Sequence, residues 1–185
     1  MKFEVKKMEV IHLKAVAQLH IRSFKGRFLA KMGEDFLVEY YKGYLLNEHA
    51  VAYVAERIYD RCLLGFVVGA DDLQVFNRII FKRRFLILFR ESLRRSLTDF
   101  SVLTNIWQRL SRIIVPLIYN KKKKKAVETI SEDQHTSLPA ASLTSIAVDG
   151  DFRGMKIGYR LIMAFCDELC RRGVCYIKLG VERKN

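Results

Sequence analysis

Several features are missing from this sequence of 185 residues, and each absence excludes something. No run of about 18 apolar residues occurs, so a membrane-spanning helix is not expected. The start, Met1-Lys2-Phe3-Glu4-Val5-Lys6-Lys7, alternates like a strand and lacks the apolar centre of a secretory signal. There are only four cysteines (Cys62, Cys166, Cys170 and Cys175), and without such a signal they are expected as reduced thiols in the cytoplasm. Cys166 and Cys170 stand four apart, a spacing that could begin a metal site. No histidine lies near them in sequence, so they are read as small apolar fillers and no metal is expected. No internal repeat is present. Half the residues are hydrophobic, which excludes a disordered chain and suffices for one domain over 1–185.

Acidic residues are nearly missing from one stretch. The chain carries a net charge of +13, yet residues 78–125 alone hold fourteen basic residues against two acidic ones, Glu91 and Asp99. The remainder, with 19 basic and 18 acidic residues, is close to neutral. Within the basic stretch, Phe85, Leu86, Leu88, Phe89, Leu93 and Leu97 recur at helical spacing. Val102, Ile106, Leu110, Ile113 and Leu117 repeat the pattern. Two amphipathic helices are expected, with Pro116 near the end of the second, then the run Lys121–Lys125 and a polar linker over 126–139. Three readings stay open. One is a helical lid with its arginines in water. Another is attachment to an anionic membrane surface, peripheral to the cytoplasm, through Phe85, Phe89 and Trp107 with their basic flanks. The third is phosphate-backbone binding; too few aromatics interleave with the basic residues for base stacking, so nucleic acid is not the expected partner.

Elsewhere the pattern alternates between strands and helices. Phe3 to Val10 reads as a strand. Val16, Leu19, His20 and Phe24 share a helix face over about 13–24. Gly26 and Gly33 bracket a flexible connection. Glu34 and Asp35 suit the N-terminus of a second helix carrying Phe36, Leu37, Tyr40, Tyr41 and Tyr44. Ala50–Ala55 and Cys62–Val68 read as strands joined by a turn at Tyr59-Asp60-Arg61. Ala140–Val148 is a strand. Ile157, Leu161, Phe165 and Leu169 mark a helix ended by Gly173, and Val174–Val181 is a last strand.

The densest signal is residues 143–158, Leu-Thr-Ser-Ile-Ala-Val-Asp-Gly-Asp-Phe-Arg-Gly-Met-Lys-Ile-Gly. A strand, a glycine-bearing turn and a helix N-terminus make an anion site. The turn aims backbone N–H groups at one point and the helix end adds partial positive charge. A pyrophosphate is the natural guest.

The strand Leu143–Val148, the turn Arg153-Gly154-Met155-Lys156-Ile157-Gly158 and the helix with Leu161 and Phe165 resemble the GCN5-related N-acetyltransferase superfamily. The closing run from Gly173 through Ile177-Lys178-Leu179-Gly180-Val181 to Asn185 follows the same order. The turn is similar to that family's Arg/Gln-x-x-Gly-x-Gly/Ala motif, with Lys156 in place of the first glycine. The resemblance covers about residues 1–70 and 140–185, with 71–139 as a basic helical insertion. It implies an α/β fold, a mixed and mostly antiparallel sheet flanked by helices, lacking the family's usual C-terminal part. It also implies acetyl-CoA as cosubstrate, held by Ile146, Ala147 and Val148 along the pantetheine arm and by Arg153, Gly154, Met155, Lys156, Ile157 and Gly158 at the pyrophosphate, with Asn185 nearby. The implied reaction is direct attack by a primary amine of a small molecule, such as an amino sugar, with a strand N–H near Val148 at the oxyanion. Glu182 is the candidate base, and a solvated carboxylate at a strand end is its plainer reading. His20, Phe24 and Tyr40 are candidate substrate-binding residues, with core packing as the competing account. The family's catalytic acid would lie beyond Asn185. A domain of this fold that binds CoA or a membrane surface without turnover is the alternative, and pairing of two copies at an exposed sheet edge is also envisaged.

Overall fold

Two strands almost free of exposed polar side chains form the middle of the molecule, and their composition explains why. Ala50–Arg57 (AVAYVAER) and Leu63–Ala70 (LLGFVVGA) are apolar at nearly every position, as strands covered on both faces must be. The computed structural model describes residues 1–73, 75–76, 140–174 and 176–179. In chain order the elements are β1 (Phe3–Lys7), α1 (Leu13–Ser23), α2 (Phe28–Lys31), α3 (Glu34–Leu45), β2 (Ala50–Arg57), β3 (Leu63–Ala70), β4 (Ala140–Val148), α4 (Ile157–Arg171) and β5 (Tyr176–Leu179). The sheet runs β1-β2-β3-β4-β5, antiparallel except for the parallel β4–β5 pair. This is the mixed, mostly antiparallel sheet flanked by helices that the sequence implied. Among the described residues, no helix is long and apolar enough to cross a membrane. The basic segment 78–125, Glu182 and Asn185 lie outside the described residues.

The sheet divides the core in two. On one face Val16, Leu19, Leu37, Tyr41 and Tyr44 of α1 and α3 meet Val54, Phe66 and Val68. On the other Ile157, Leu161, Phe165 and Leu169, spaced four apart along α4, meet Ala55, Leu64 and Val67. Each such side chain contributes about 1.5–3 kcal/mol when fully buried. The helix ends where Gly173 enters the left-handed region at φ 74°. Its N–H reaches the Cys170 carbonyl and the Val174 N–H reaches that of Leu169, closing the helix by a Schellman motif.

Three local expectations differ from the structure. The first strand stops at Lys7, because Glu9 and His12 cap each other around a 3-10 turn at Val10–His12. That turn lifts Val10 and Ile11 into solvent, 67% and 73% exposed. The segment between Gly26 and Gly33 holds the short helix α2, anchored by the buried Met32 that follows it. Val174, expected in the last strand, belongs to the helix cap, and that strand is described over Tyr176–Leu179.

α4 lies against β3 where β3 has no side chains. A Cβ built on Gly65 would come within 2.8 Å of the Ala147 carbonyl oxygen and 3.1 Å of Leu161 Cδ1. One on Gly69 would overlap the Ser142 carbonyl oxygen and stand 2.5 Å from Phe165 Cζ. Gly69→Ala is therefore expected to destabilise the fold by about 1–3 kcal/mol, as overpacking does. Gly150→Ala, with nothing within 4 Å of the new Cβ, should change stability by less than about 0.5 kcal/mol. Chemical denaturation of the two variants checks this, and equal midpoints would show that α4 has room to shift.

Candidate active site

Strand β4 and the turn into α4 build the site. β4 pairs with β5 from Ala140 to Leu143, and among the described residues no pairing with β5 extends past Leu143. Toward β3 the pairing continues to Val148, with an irregularity at Val68/Gly69 where Val68 faces Ser145 and Gly69 faces Leu143. Thr144 is the extra residue, so β4 carries a bulge. Leu143, Ile146 and Val148 pack on the α4 side, while Ala147 packs on the α1–α3 side. The bulge lets both Thr144 and Ser145 serve that second side. Tyr44 meets the Thr144 hydroxyl and Tyr41 meets that of Ser145.

Behind these hydroxyls lies a buried polar row. His20 Nδ1 is 2.6 Å from the Tyr41 hydroxyl, and the Tyr40 and Tyr44 hydroxyls are 3.0 Å apart. His20 is only 3% exposed, and its ring packs 4.6 Å from that of Phe24. Burial pushes the His20 imidazole down to about 4, so it is neutral at pH 7. Burial also pushes the Tyr40, Tyr41 and Tyr44 phenols up, which makes them poor acids. Of the three candidate substrate-binding residues, His20 sits inside the core, while Phe24 and Tyr40 are partly buried against it.

The turn after β4 is held at both ends. Asp149 donates its N–H to the Leu64 carbonyl at 2.9 Å, and its carboxylate accepts the Asp151 N–H. A 3-10 turn at Gly150–Phe152 follows. Gly154 has φ 80°, and Lys156, the N-cap of α4, has φ 60° and ψ 15°. Lysine thus occupies a left-handed backbone that favours glycine, at a cost of about 1–2 kcal/mol. The first backbone bond of α4 runs from the Arg160 N–H to the Lys156 carbonyl. The N–H groups of Ile157, Gly158 and Tyr159 thus precede the helical ladder. No side chain caps them and no acid stands in the first turn. Gly158 lies against β4, its Cβ position 3.5 Å from Val148 Cγ2. The structure therefore brings Ile146, Ala147 and Val148 together with Arg153 through Gly158. Arg153 and Lys156 are exposed in the turn itself and give it positive charge, while the Arg160 guanidinium lies 5.1 Å over the Phe3 ring of β1.

Sequence reasoning missed the bulge, the glycine pair Gly65 and Gly69, and an ion pair from Arg22 Nη2 to Asp149 Oδ2 at 2.9 Å. Two successive hydroxyl residues inside an apolar strand were a readable sign of the bulge. Nothing local announces the ion pair, whose members are 127 residues apart.

Two outcomes are expected from this geometry. Lys156→Gly should raise stability by roughly 0.5–1 kcal/mol in denaturant titration, the relief of the left-handed strain exceeding the added entropy of the unfolded chain. A loss would show that the Lys156 side chain stabilises the turn. For His20 the folded value lies below the ordinary 6.5. As pH falls from 6.5 toward 4, the unfolded chain binds a proton that the folded chain refuses. Stability is complete above that window and drops within it by up to about 3 kcal/mol. His12, also lowered by burial and by Lys6, acts in the same direction. His20→Gln should flatten the pH dependence of unfolding between pH 4 and 6.5, and an unchanged slope would place the titration elsewhere.

No protein-family model matches the chain, and no curated protein matches it significantly. Solved structures do match. The aminoglycoside N-acetyltransferase AAC(6')-Iy, 13% identical, superposes with a TM-score of 0.56 over 100% of this chain and 83% of its own. Glucosamine-6-phosphate N-acetyltransferase from Arabidopsis thaliana, 11% identical, gives 0.53 over 100% and 86%. The aminoglycoside 6'-N-acetyltransferase AAC(6')-Ih from Acinetobacter baumannii, 9% identical, gives 0.55 over 100% and 82%. The strand-turn-helix cradle and the five-stranded sheet therefore belong to a chain with the fold of the GCN5-related N-acetyltransferases.

Proposed function

We propose that this protein is an acetyl-CoA-dependent N-acetyltransferase that acetylates a primary amine of a small molecule in the cytoplasm. The observation that carries the reading is the convergence of a bulged β4 with an uncapped, acid-free helix start at Lys156–Tyr159. A strand edge can pair with the amides of a pantetheine arm, and N–H groups at a helix start beside Arg153 and Lys156 suit a diphosphate. The replacement of the motif glycine is compatible with the turn, because Lys156 adopts a left-handed backbone of the kind glycine favours and adds a cation.

Acetyl-CoA supplies the acetyl group as a thioester that an amine can attack directly, and no metal is required for that step. The protein's part is placement and electrostatics. Ile146, Ala147 and Val148 hold the pantetheine arm. A β4 N–H near Val148 would stabilise the negative charge that develops on the thioester carbonyl oxygen. The N–H groups from Arg153 to Gly158 fix the diphosphate. Glu182 is the proposed base. His20 is held neutral inside the core and shapes the wall through Tyr41, while Phe24 and Tyr40 bound the acceptor side. Structural neighbours that act on aminoglycosides and glucosamine 6-phosphate support an amino sugar as the acceptor class.

Acetyl-CoA at about 100 times its dissociation constant should stabilise the fold by about 2.7 kcal/mol. Gly158→Asp is the diagnostic variant. Its Cβ meets only Val148 Cγ2, at an ordinary 3.5 Å, and a carboxylate at a helix N-terminus does not harm the fold. The variant should melt at or above the parent temperature while losing at least about tenfold in acetyl-CoA affinity by calorimetry. Unchanged affinity would move the diphosphate away from this turn. Saturable binding with no turnover of any amine in a panel would instead identify a non-catalytic CoA-binding domain.

A further inference from the structure

The cradle carries a charge of the wrong sign. Asp149, the residue after Val148, places a carboxylate at the root of the turn that opens α4, and Asp151 adds a second two residues on. Asp149 cannot swing away. Its N–H is held by the Leu64 carbonyl at 2.9 Å, its carbonyl accepts the Phe152 N–H at 3.0 Å, and its Oδ1 accepts the Asp151 N–H at 3.3 Å. Left alone, this partly exposed negative charge at the root of the turn would oppose a diphosphate on the neighbouring N–H groups. The other oxygen, Oδ2, meets Arg22 Nη2 at 2.9 Å. Arg22 is the penultimate residue of α1, on the far side of the sheet's edge from α4.

We infer that Arg22 is a positioning residue for the cofactor: it neutralises Asp149 so that the turn can accept a diphosphate. The inference rests on the acetyl-CoA reading above and adds to it a residue from outside the motif. Three features support it. Arg22 is 59% exposed and Asp149 21%, so the pair adds little to the stability of the fold. Arg22 engages Asp149 through one terminal nitrogen, and an arginine has five donors. The pair also joins α1, which carries His20 and Phe24 on the acceptor side, to the turn that begins the cofactor side.

The test uses the whole chain, with CoA and acetyl-CoA as probes. Arg22→Gln should weaken CoA about tenfold at low ionic strength, and less at about 0.5 M salt where the exposed repulsion is screened. The KM for acetyl-CoA should rise while kcat stays near the parent value. Arg22→Lys should restore most of the affinity. The KM for acetyl-pantetheine, which lacks the diphosphate, should not move. The decisive variant is Arg22→Gln combined with Asp149→Asn, which removes the opposing charge and keeps an acceptor for the Asp151 N–H. It should return CoA affinity to within about twofold of the parent. If the double variant is as weak as Arg22→Gln alone, or if Arg22→Gln binds normally, the inference is overturned while the acetyl-CoA reading stands. If the parent chain, folded by its thermal melt, shows no saturable CoA binding, the acetyl-CoA reading falls and takes this inference with it.

Discussion

The approach of α4 to β3 sets the position of everything chemical in this molecule. Gly65 and Gly69 lie four residues apart on one strand, a span of about 13 Å. Above them, Ile157 and Phe165 lie eight residues apart on the helix, about 12 Å. The two spacings agree, so the helix lies along the strand and touches it at both glycines: Ile157 and Leu161 over Gly65, Phe165 over Gly69. Side chains at those points would hold the helix off the sheet. Because Gly65 faces the Ala147 carbonyl, the helix start is delivered beside the last residues of β4. The far end is fixed by Arg172. Its guanidinium reaches the carbonyls of Glu48 and Ala50 and the carboxylates of Asp71 and Glu168, at 2.7–3.2 Å. A rigid helix pinned at both ends holds its N-terminal N–H groups in a constant place, and an anion site requires that.

Strain and charge are then concentrated where the ligand would lie. Lys156 occupies a backbone region costly for lysine, and Asp149 places a carboxylate near a proposed diphosphate. Neither choice serves stability. A glycine at 156 would relax the turn. A neutral residue at 149 would leave the Asp151 N–H bond available to any short acceptor. Such local costs persist where surrounding structure over-determines them. Here the surroundings are the bond from Asp149 N–H to Leu64 and the packing of Ile157 on the sheet. The lysine ammonium offers a further cation in exchange, and Arg22 answers the aspartate.

How much could be read in advance follows from the range of each interaction. α4 was legible because Ile157, Leu161, Phe165 and Leu169 announce one helix face and Gly173 its end, all within one window. The helix from Glu34 and the two central strands were legible for the same reason. The strand, turn and helix start over residues 143–158 were legible because they are consecutive. What escaped depends on partners distant in sequence. The mutual cap of Glu9 and His12 outcompetes strand pairing only once His12 is buried near Glu56. Gly65 and Gly69 read as weak points in a strand until α4 is laid across them. His20 read as a candidate for the acceptor wall because its helix borders the acceptor site in the family the chain resembles; only the fold shows Tyr41 between it and β4.

The bulge at Thr144 links the two halves of this account. A regular β4 would alternate, and one of Thr144 and Ser145 would face α4, whose side of the sheet is apolar. Both hydroxyls lie on the opposite side, Thr144 toward Tyr44 and Ser145 toward Tyr41. The bulge thus places both beside the tyrosine row, and among the described residues no β4–β5 pair extends past Leu143, just before the bulge. A buried polar row that reads as core packing is what shapes the strand on which the cofactor arm would lie. Its neutral histidine and raised phenols are consistent with that duty, since groups that held or lost protons there would change the hydrogen bonds that hold the bulge.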